Sequence, residues 1–160
     1  DLICVTGNLG DSGCGLKIIL EGSGRDADAE KLIARHYLPM PRVKEGMEIA
    51  AAGASAMMDI SDGIGSDLRH ILKESGVGAV VDTGSIPVSD EMERKCAQMG
   101  WDALEIATSG GEDYELLFTI SPENEKRVAV GHHVIGKIVP GNGIEWKGKE
   151  DKNYMGYRHF

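Results

Sequence analysis

The sequence predicts an α+β fold, a mixed β-sheet with helices packed on it, in a single domain spanning residues 1–160. Three observations carry this prediction. Short β-rich runs alternate with stretches of helical periodicity through most of the chain, an order that yields a layered sheet-and-helix architecture. At 160 residues the chain is long enough to bury about 70% of its unfolded surface around one core, and too short for two. Hydrophobic residues make up 41% and charged residues 27%, ordinary values for a globular protein, while 22 glycines mark many turns or close backbone approaches.

Residues 2–6 form the first β-rich run. Gly7, Asn8 and Gly10 follow as a tight loop, and Asp11 with Ser12 opens a helix carrying Leu16, Ile19 and Leu20 at helical spacing. Asp11 and Ser12 read more readily as helix-capping residues than as a ligand site. Residues 27–38 place Leu32, Ile33 and Tyr37 along one helical stripe, stopped by Pro39 and Pro41. A third helix covers 43–52 and ends at Gly53. Residues 55–60 make a compact, apolar strand running into Asp59, Ser61, Asp62 and Gly63, after which Ile64, Leu68, Ile71 and Leu72 mark one face of a helix closed by Gly76. A strand at 77–82 precedes a helix introduced by Pro87, Ser89 and Asp90 and carrying Met92, Cys96 and Met99, and a short helix follows at 102–107. Residues 114–120 are the clearest late strand. A short helix within 122–130, an apolar run at 133–139, the turn residues Pro140, Gly141 and Asn142, and a polar, aromatic tail complete the chain.

The formal charge of -9, from 26 acidic and 17 basic residues, repels a bare nucleic-acid backbone, so no nucleic-acid partner is expected. A polyphosphate ligand would need divalent cations, and Mg²⁺ typically takes one or two carboxylates plus phosphate oxygens. Cys4, Cys14 and Cys96 are odd in number, widely spaced and without a C-x-x-C pair, which fits a reduced, cytoplasmic setting. No apolar run approaches the length of a membrane span, and no signal-peptide pattern is present. The chain lacks an initiating Met, and Asp1 leads at once into an apolar run, so it is expected to be a fragment.

Two acidic loops stand out as candidate chemistry. In MMDISDGIGSDL, residues 57–68, Asp59, Ser61 and Asp62 end a buried strand just ahead of a helix, where carboxylates for a metal and helix amides for a phosphate would coincide. Capping explains the same residues equally well, with Ser61 or Asp62 satisfying the helix amides. An EF-hand reading fails, because the positions that need Gly and Glu hold Ile64 and His70. A P-loop motif is absent. In SGGEDYELLF, residues 109–118, Gly110 and Gly111 permit unusual backbone angles and place Glu112 and Asp113 ahead of a strand. Those acids either hold a cationic or hydroxyl-bearing substrate or are solvated turn residues. Tyr154, Tyr157, His159 and Phe160 could stack on a planar ring or dock on the core. His36, His70, His132 and His133 show no metal spacing and receive no chemistry, and Arg42 reads as an anion ligand or a surface salt bridge.

In order, VTGNLGDSGCGL, HYLPMPRV, MMDISDGIGSDL, SGGEDYELLFTI, VIGKIV and YMGYRHF resemble the carboxyl-terminal domain of the thiamine-monophosphate kinases, within the wider aminoimidazole-ribonucleotide synthetase-like superfamily. DISDG recurs loosely across that superfamily, and SGGEDYEL is the more specific signature. The resemblance implies transfer of the terminal phosphate of ATP to thiamine monophosphate, with Mg²⁺ as cofactor and ATP as co-substrate. It further implies that Asp59 and Asp62 are metal ligands, that Ser61 contacts ATP, and that Glu112 and Tyr157 contact substrate. No covalent nucleophile or general base is required, so no catalytic residue is assigned. The family also carries an amino-terminal domain, missing here, that supplies most metal and ATP contacts and a homodimer interface. The isolated chain is therefore expected to fold but to be inactive. A related ATP-dependent synthetase and a noncatalytic binding or assembly fragment are the competing readings. The short connection between Phe118 and Val134, where the family has a longer helix, is expected to leave one sheet face less covered.

Overall fold

The computed structural model describes residues 1–22 and 24–148. Six strands and seven helices are formed among them. In order they are β1 (Leu2–Val5), α1 (Asp11–Glu21), α2 (Ala27–Tyr37), α3 (Val43–Ala52), β2 (Ala56–Asp59), α4 (Ile64–Ser75), β3 (Gly78–Asp82), α5 (Asp90–Met99), α6 (Ala103–Ser109), β4 (Leu116–Ile120), α7 (Pro122–Glu125), β5 (His133–Val139) and β6 (Gly143–Lys147). Helices α2, α5 and α6 begin where short polar side chains satisfy their first amides. Asp26 accepts from Ala29 N at 2.8 Å, Ser89 from Met92 N at 3.1 Å, and Asp102 from Glu105 N at 3.1 Å. Helix α4 ends at Gly76, in the left-handed region at φ 66°, its N–H returned to Leu72 O and Lys73 O.

All strands join one mixed sheet in the order β2-β4-β1-β5-β3-β6. β4 runs antiparallel to both β1 and β2, with Val5 opposite Leu117 and Asp59 opposite Leu116. The carboxyl ends of β1 and β2 therefore lie beside the amino end of β4. Three loops, residues 6–10, 60–63 and 110–115, meet at that end of the sheet.

Strand alternation divides the core between the two faces. Ile3, Val5, Leu117, Ile135 and Val81 join the larger cluster, beneath Cys14 and Ile18 of α1, Leu32 and Ile33 of α2, and Ile64 and Leu68 of α4. Cys4, Phe118 and Ile120 pack on the opposite face against Ile49 and Ala52 of α3, with Val128 and Val130 alongside. Val134 on β5 remains 40% exposed, so the short connection after β4 leaves part of this face open.

Three sequence expectations are corrected. Tyr37, placed on the buried stripe of α2, is 63% exposed, and Leu20 of α1 is 76% exposed. Leu32 and Ile33 are buried as the stripe predicts, with Ala29 beside them, and α1 buries Cys14 and Ile18, because those side chains point down onto the sheet. The segment after Asn142 is not only turn and tail, since β6 pairs parallel with β3.

Candidate functional site

The loops 60–63 and 110–115 are laced together by their backbones. Ile60 N donates to Glu115 O at 2.8 Å, Tyr114 N to Ile60 O at 2.9 Å, and Glu112 N to Ser61 O at 2.8 Å. Such close approach requires glycine. A Cβ on Gly111 would lie 2.5 Å from Ser61 O, and one on Gly63, which sits at φ 91°, would lie 2.8 Å from Gly110 O. Glu112 and Tyr114 themselves occupy the left-handed region, at φ 63° and 51°. Non-glycine residues hold such angles where the surroundings over-determine them, a pattern concentrated at ligand sites. This also explains why β4 starts at Leu116 and not at residue 114.

Acids inside the fold fix the loops. Asp113 turns its carboxyl onto the start of α1, accepting from Gly10 N at 2.7 Å and Ser12 N at 3.2 Å. Burial pushes this carboxyl up to about 7 against the pull of the two amides. Glu115, 6% exposed, accepts from Thr6 Oγ1 at 2.7 Å and receives a two-pronged Arg42 guanidinium at 2.6 and 2.9 Å. Arg42 is thus neither a surface salt bridge nor a free anion ligand. Asp67, buried in the first turn of α4, accepts from Ser61 N at 3.0 Å and Asp62 N at 3.1 Å. Its carboxyl is pushed above the usual range by burial, an effect the two amides oppose and the nearby charges of Asp62 and Asp59 reinforce.

The capping reading of Ser61, Asp62, Asp11 and Ser12 is corrected by these bonds. No side chain caps α4 at Gly63 or α1 at Gly10 from within the local sequence. Ser61 and Asp62 instead give their amides to Asp67, and α1 is capped by Asp113 from a distant loop.

What faces outward is a cleft of about 560 Å³, a size suited to a small-molecule ligand. Ser61, Asp62, Glu112 and Tyr114 line it together with His36 from α2, while Leu16 and Ile106 supply an apolar wall. Asp59 lies exposed at the end of β2, one position before Ile60. Among the described residues, no cluster of three or more His, Cys, Asp or Glu could by itself hold a metal. Of the two predicted metal ligands, Asp62 lines the cleft and Asp59 stands outside its lining at the end of β2; a carboxylate is the kind of ligand Mg²⁺ takes alongside phosphate oxygens and water. Tyr157, and with it Tyr154, His159 and Phe160, falls outside the described residues.

Against known proteins, the family described as AIR synthase related protein, C-terminal domain, matches residues 1–148. The chain belongs to this family. Thiamine-monophosphate kinase of Salmonella typhimurium is 46% identical over 136 residues, covering 82% of this chain and 41% of that protein. Its namesake from Aquifex aeolicus is 35% identical over 161 residues, covering 100% of this chain and 52% of that protein. Among solved structures, AaThiL complexed with AMPPCP and TMP superposes with a TM-score of 0.89 at 34% identity, covering 100% of this chain and 51% of the other. Thiamine-monophosphate kinase from Stenotrophomonas maltophilia K279a gives 0.82 at 34% identity, covering 92% of this chain and 50% of the other. The chain thus spans about half the length of these relatives. Escherichia coli HypE, at 20% identity and a TM-score of 0.71, shares the fold. The mixed six-stranded sheet is therefore that of the AIR synthase related C-terminal domain, as the α+β reading anticipated.

Sequence reasoning missed three members of this site. His36 was left without chemistry, yet its Nδ1 lies 3.0 Å from Ser12 Oγ and 3.5 Å from Glu112 Oε2. Asp67 and the Arg42–Glu115 pair were missed because their partners are backbone amides or lie 73 residues away. The one available signal was Arg42 itself, a cation pinned just after Pro41.

Proposed function

We propose that this chain is the carboxyl-terminal domain of a thiamine-monophosphate kinase, whose complete form transfers the terminal phosphoryl group of ATP to thiamine monophosphate, giving thiamine diphosphate. The observation that carries this reading is the convergence of Ser61 and Asp62 with the Glu112 loop on one cleft, in a chain similar along its whole length to AaThiL complexed with AMPPCP and TMP. Phosphoryl transfer works by positioning reactants and neutralising charge, and this arrangement offers both. Asp59 and Asp62 would hold Mg²⁺, which when bound neutralises phosphate oxygens. Ser61 contacts ATP beside the start of α4, and Glu112 presents its carboxylate to the cationic thiamine ring, with Tyr157 as a stacking partner. Leu16 and Ile106 exclude water from the ring's apolar edge.

An amino-terminal domain, in a homodimeric complete enzyme, supplies the remaining metal and ATP contacts. The chain alone is inactive on this reading. No described helix is long and apolar enough to cross a membrane, consistent with a cytoplasmic enzyme.

The decisive test is Asp59→Asn in the complete enzyme, assayed for thiamine diphosphate formation at saturating Mg²⁺. Turnover should fall about a hundredfold, the scale on which a displaced reacting group costs rate. Unchanged kinetics would remove Asp59 from the metal site. A panel of phosphoryl acceptors separates this reading from a related synthetase.

A further inference from the structure

We propose that His36 is a positioning residue for Glu112, fixing its carboxylate on the wall of the cleft through a relay that starts at Ser12. The identity of the ligand rests on the kinase reading; the relay does not. Glu112 is a poor binding group if left alone. Its side chain is 55% exposed, on a left-handed backbone, and a carboxylate that swings among rotamers loses freedom each time it engages a ligand. His36 removes that cost. Its side chain is 15% exposed, and its Nδ1 stands 3.0 Å from Ser12 Oγ and 3.5 Å from Glu112 Oε2.

Each link of the relay is held by the one before it. Asp113 accepts the Ser12 amide and so fixes the first turn of α1. That turn presents the Ser12 hydroxyl to Nδ1, and in the relay Nδ1 carries the hydrogen, the hydroxyl accepts, and the imidazole plane is set. The ring also leans on Tyr37, with centroids 5.6 Å apart. His36 Nδ1 then stands within ion-pair distance of Glu112 Oε2, at 3.5 Å. Leu16 and Ile106 line the same cleft as this carboxylate, so a flat cationic ring would meet both charge and apolar surface there.

Two measurements on the purified chain test this. In ligand-free protein at one fixed pH, the ¹⁵N resonance of His36 Nδ1 should move in Glu112→Gln and in Ser12→Ala. Both replace partly exposed or small side chains and leave the core untouched. A resonance that stays in place in both variants overturns the relay. Calorimetry with thiamine and with thiamine monophosphate supplies the second arm. His36→Leu should weaken both by up to about tenfold, the upper end of the cost of ordering one free side chain on binding. His36→Asn, which restores a donor near the position of Nδ1, should return affinity to within about threefold of wild type. Equal affinity of wild type and His36→Leu, or no recovery in His36→Asn, also overturns the proposal. A wild-type chain that binds neither compound, with the Nδ1 resonance still responding to Glu112→Gln, sinks the thiamine reading and upholds the relay.

Discussion

Asp113 should make this chain lose stability as pH rises from mildly acidic to neutral. Its carboxyl faces the first turn of α1, and burial lifts it to about 7 from an ordinary 3.8, with the charges of Asp11 and Glu115 adding to the lift. The sign follows from proton counting. Below pH 4 the group is protonated whether the chain is folded or not. Between there and neutrality the folded chain keeps a proton that the unfolded chain has released, so the stabilisation is lost as pH rises through about 7. A gap of about three units corresponds to at most about 4 kcal/mol. Asp113 retains some solvent contact, and two amides favour its charged form, so about 2 kcal/mol is the expected loss. Urea unfolding at intervals from pH 5 to pH 8, followed by the fluorescence of buried Trp146, reads this directly. Asp113→Asn is neutral throughout. It should be less stable than wild type at pH 5 by about 1 kcal/mol, because its NH₂ group cannot accept from both Gly10 and Ser12. Its pH dependence should be flatter, with a residual slope from Asp11 and Asp67, whose carboxyls burial also raises. Equal slopes in wild type and Asp113→Asn would refute the reasoning.

Arg42→Met leaves the buried Glu115 carboxylate with Thr6 as its remaining side-chain partner, which should cost about 3 kcal/mol in urea unfolding. Adding Glu115→Gln should recover part of that loss, and a double variant no better than the single one would argue against the ion pair. Gly111→Ala drives a methyl group to within 2.5 Å of Ser61 O and must displace the 60–63 loop. Binding of thiamine monophosphate should weaken about tenfold or more, and calorimetry showing wild-type affinity would contradict the close approach. Cys4, Cys14 and Cys96 are all buried and free, and burial pushes the Cys4 thiol up to about 12. A disulfide reagent should therefore titrate no thiol in the native chain and all three in denaturant; rapid native labelling would show an opening the fold does not contain.

The parts of this fold legible in the sequence are those whose cause is local. Ile64, Leu68, Ile71 and Leu72 recur at helical spacing and are all buried on α4, because a helix with one apolar face has one way to lie on a sheet. Asp26, Ser89 and Asp102 precede the helices they cap. What failed depends on distance. Capping reasoning looked three residues ahead and chose Ser61, Asp62, Asp11 and Ser12, whereas the carboxylates that act are Asp67, inside its own helix, and Asp113, a hundred residues along the chain. Strand β6 does alternate, through Ile144 and Trp146, but its partner is β3, and a parallel pairing across some sixty residues has no turn signature. His36 looked idle because its site exists only once α1, α2 and the Glu112 loop meet.

The acids divide by burial, and the division separates those that hold the site from those left to bind. Asp11, Asp67, Asp113 and Glu115 each engage a hydroxyl, an amide or a guanidinium within the chain. Their carboxyl groups fix loops. Glu112 stays exposed and lines the cleft with Asp62, while Asp59 stays exposed at the end of β2, outside that lining. A chain of formal charge -9 that lines one hollow with the carboxylates of Asp62 and Glu112 repels a polyphosphate unless a cation stands between them. The same carboxylates attract a cationic ring without help. Ring and polyphosphate thus reach one cleft by opposite electrostatic routes, and in this reading divalent metal is required for the second and weakens the first.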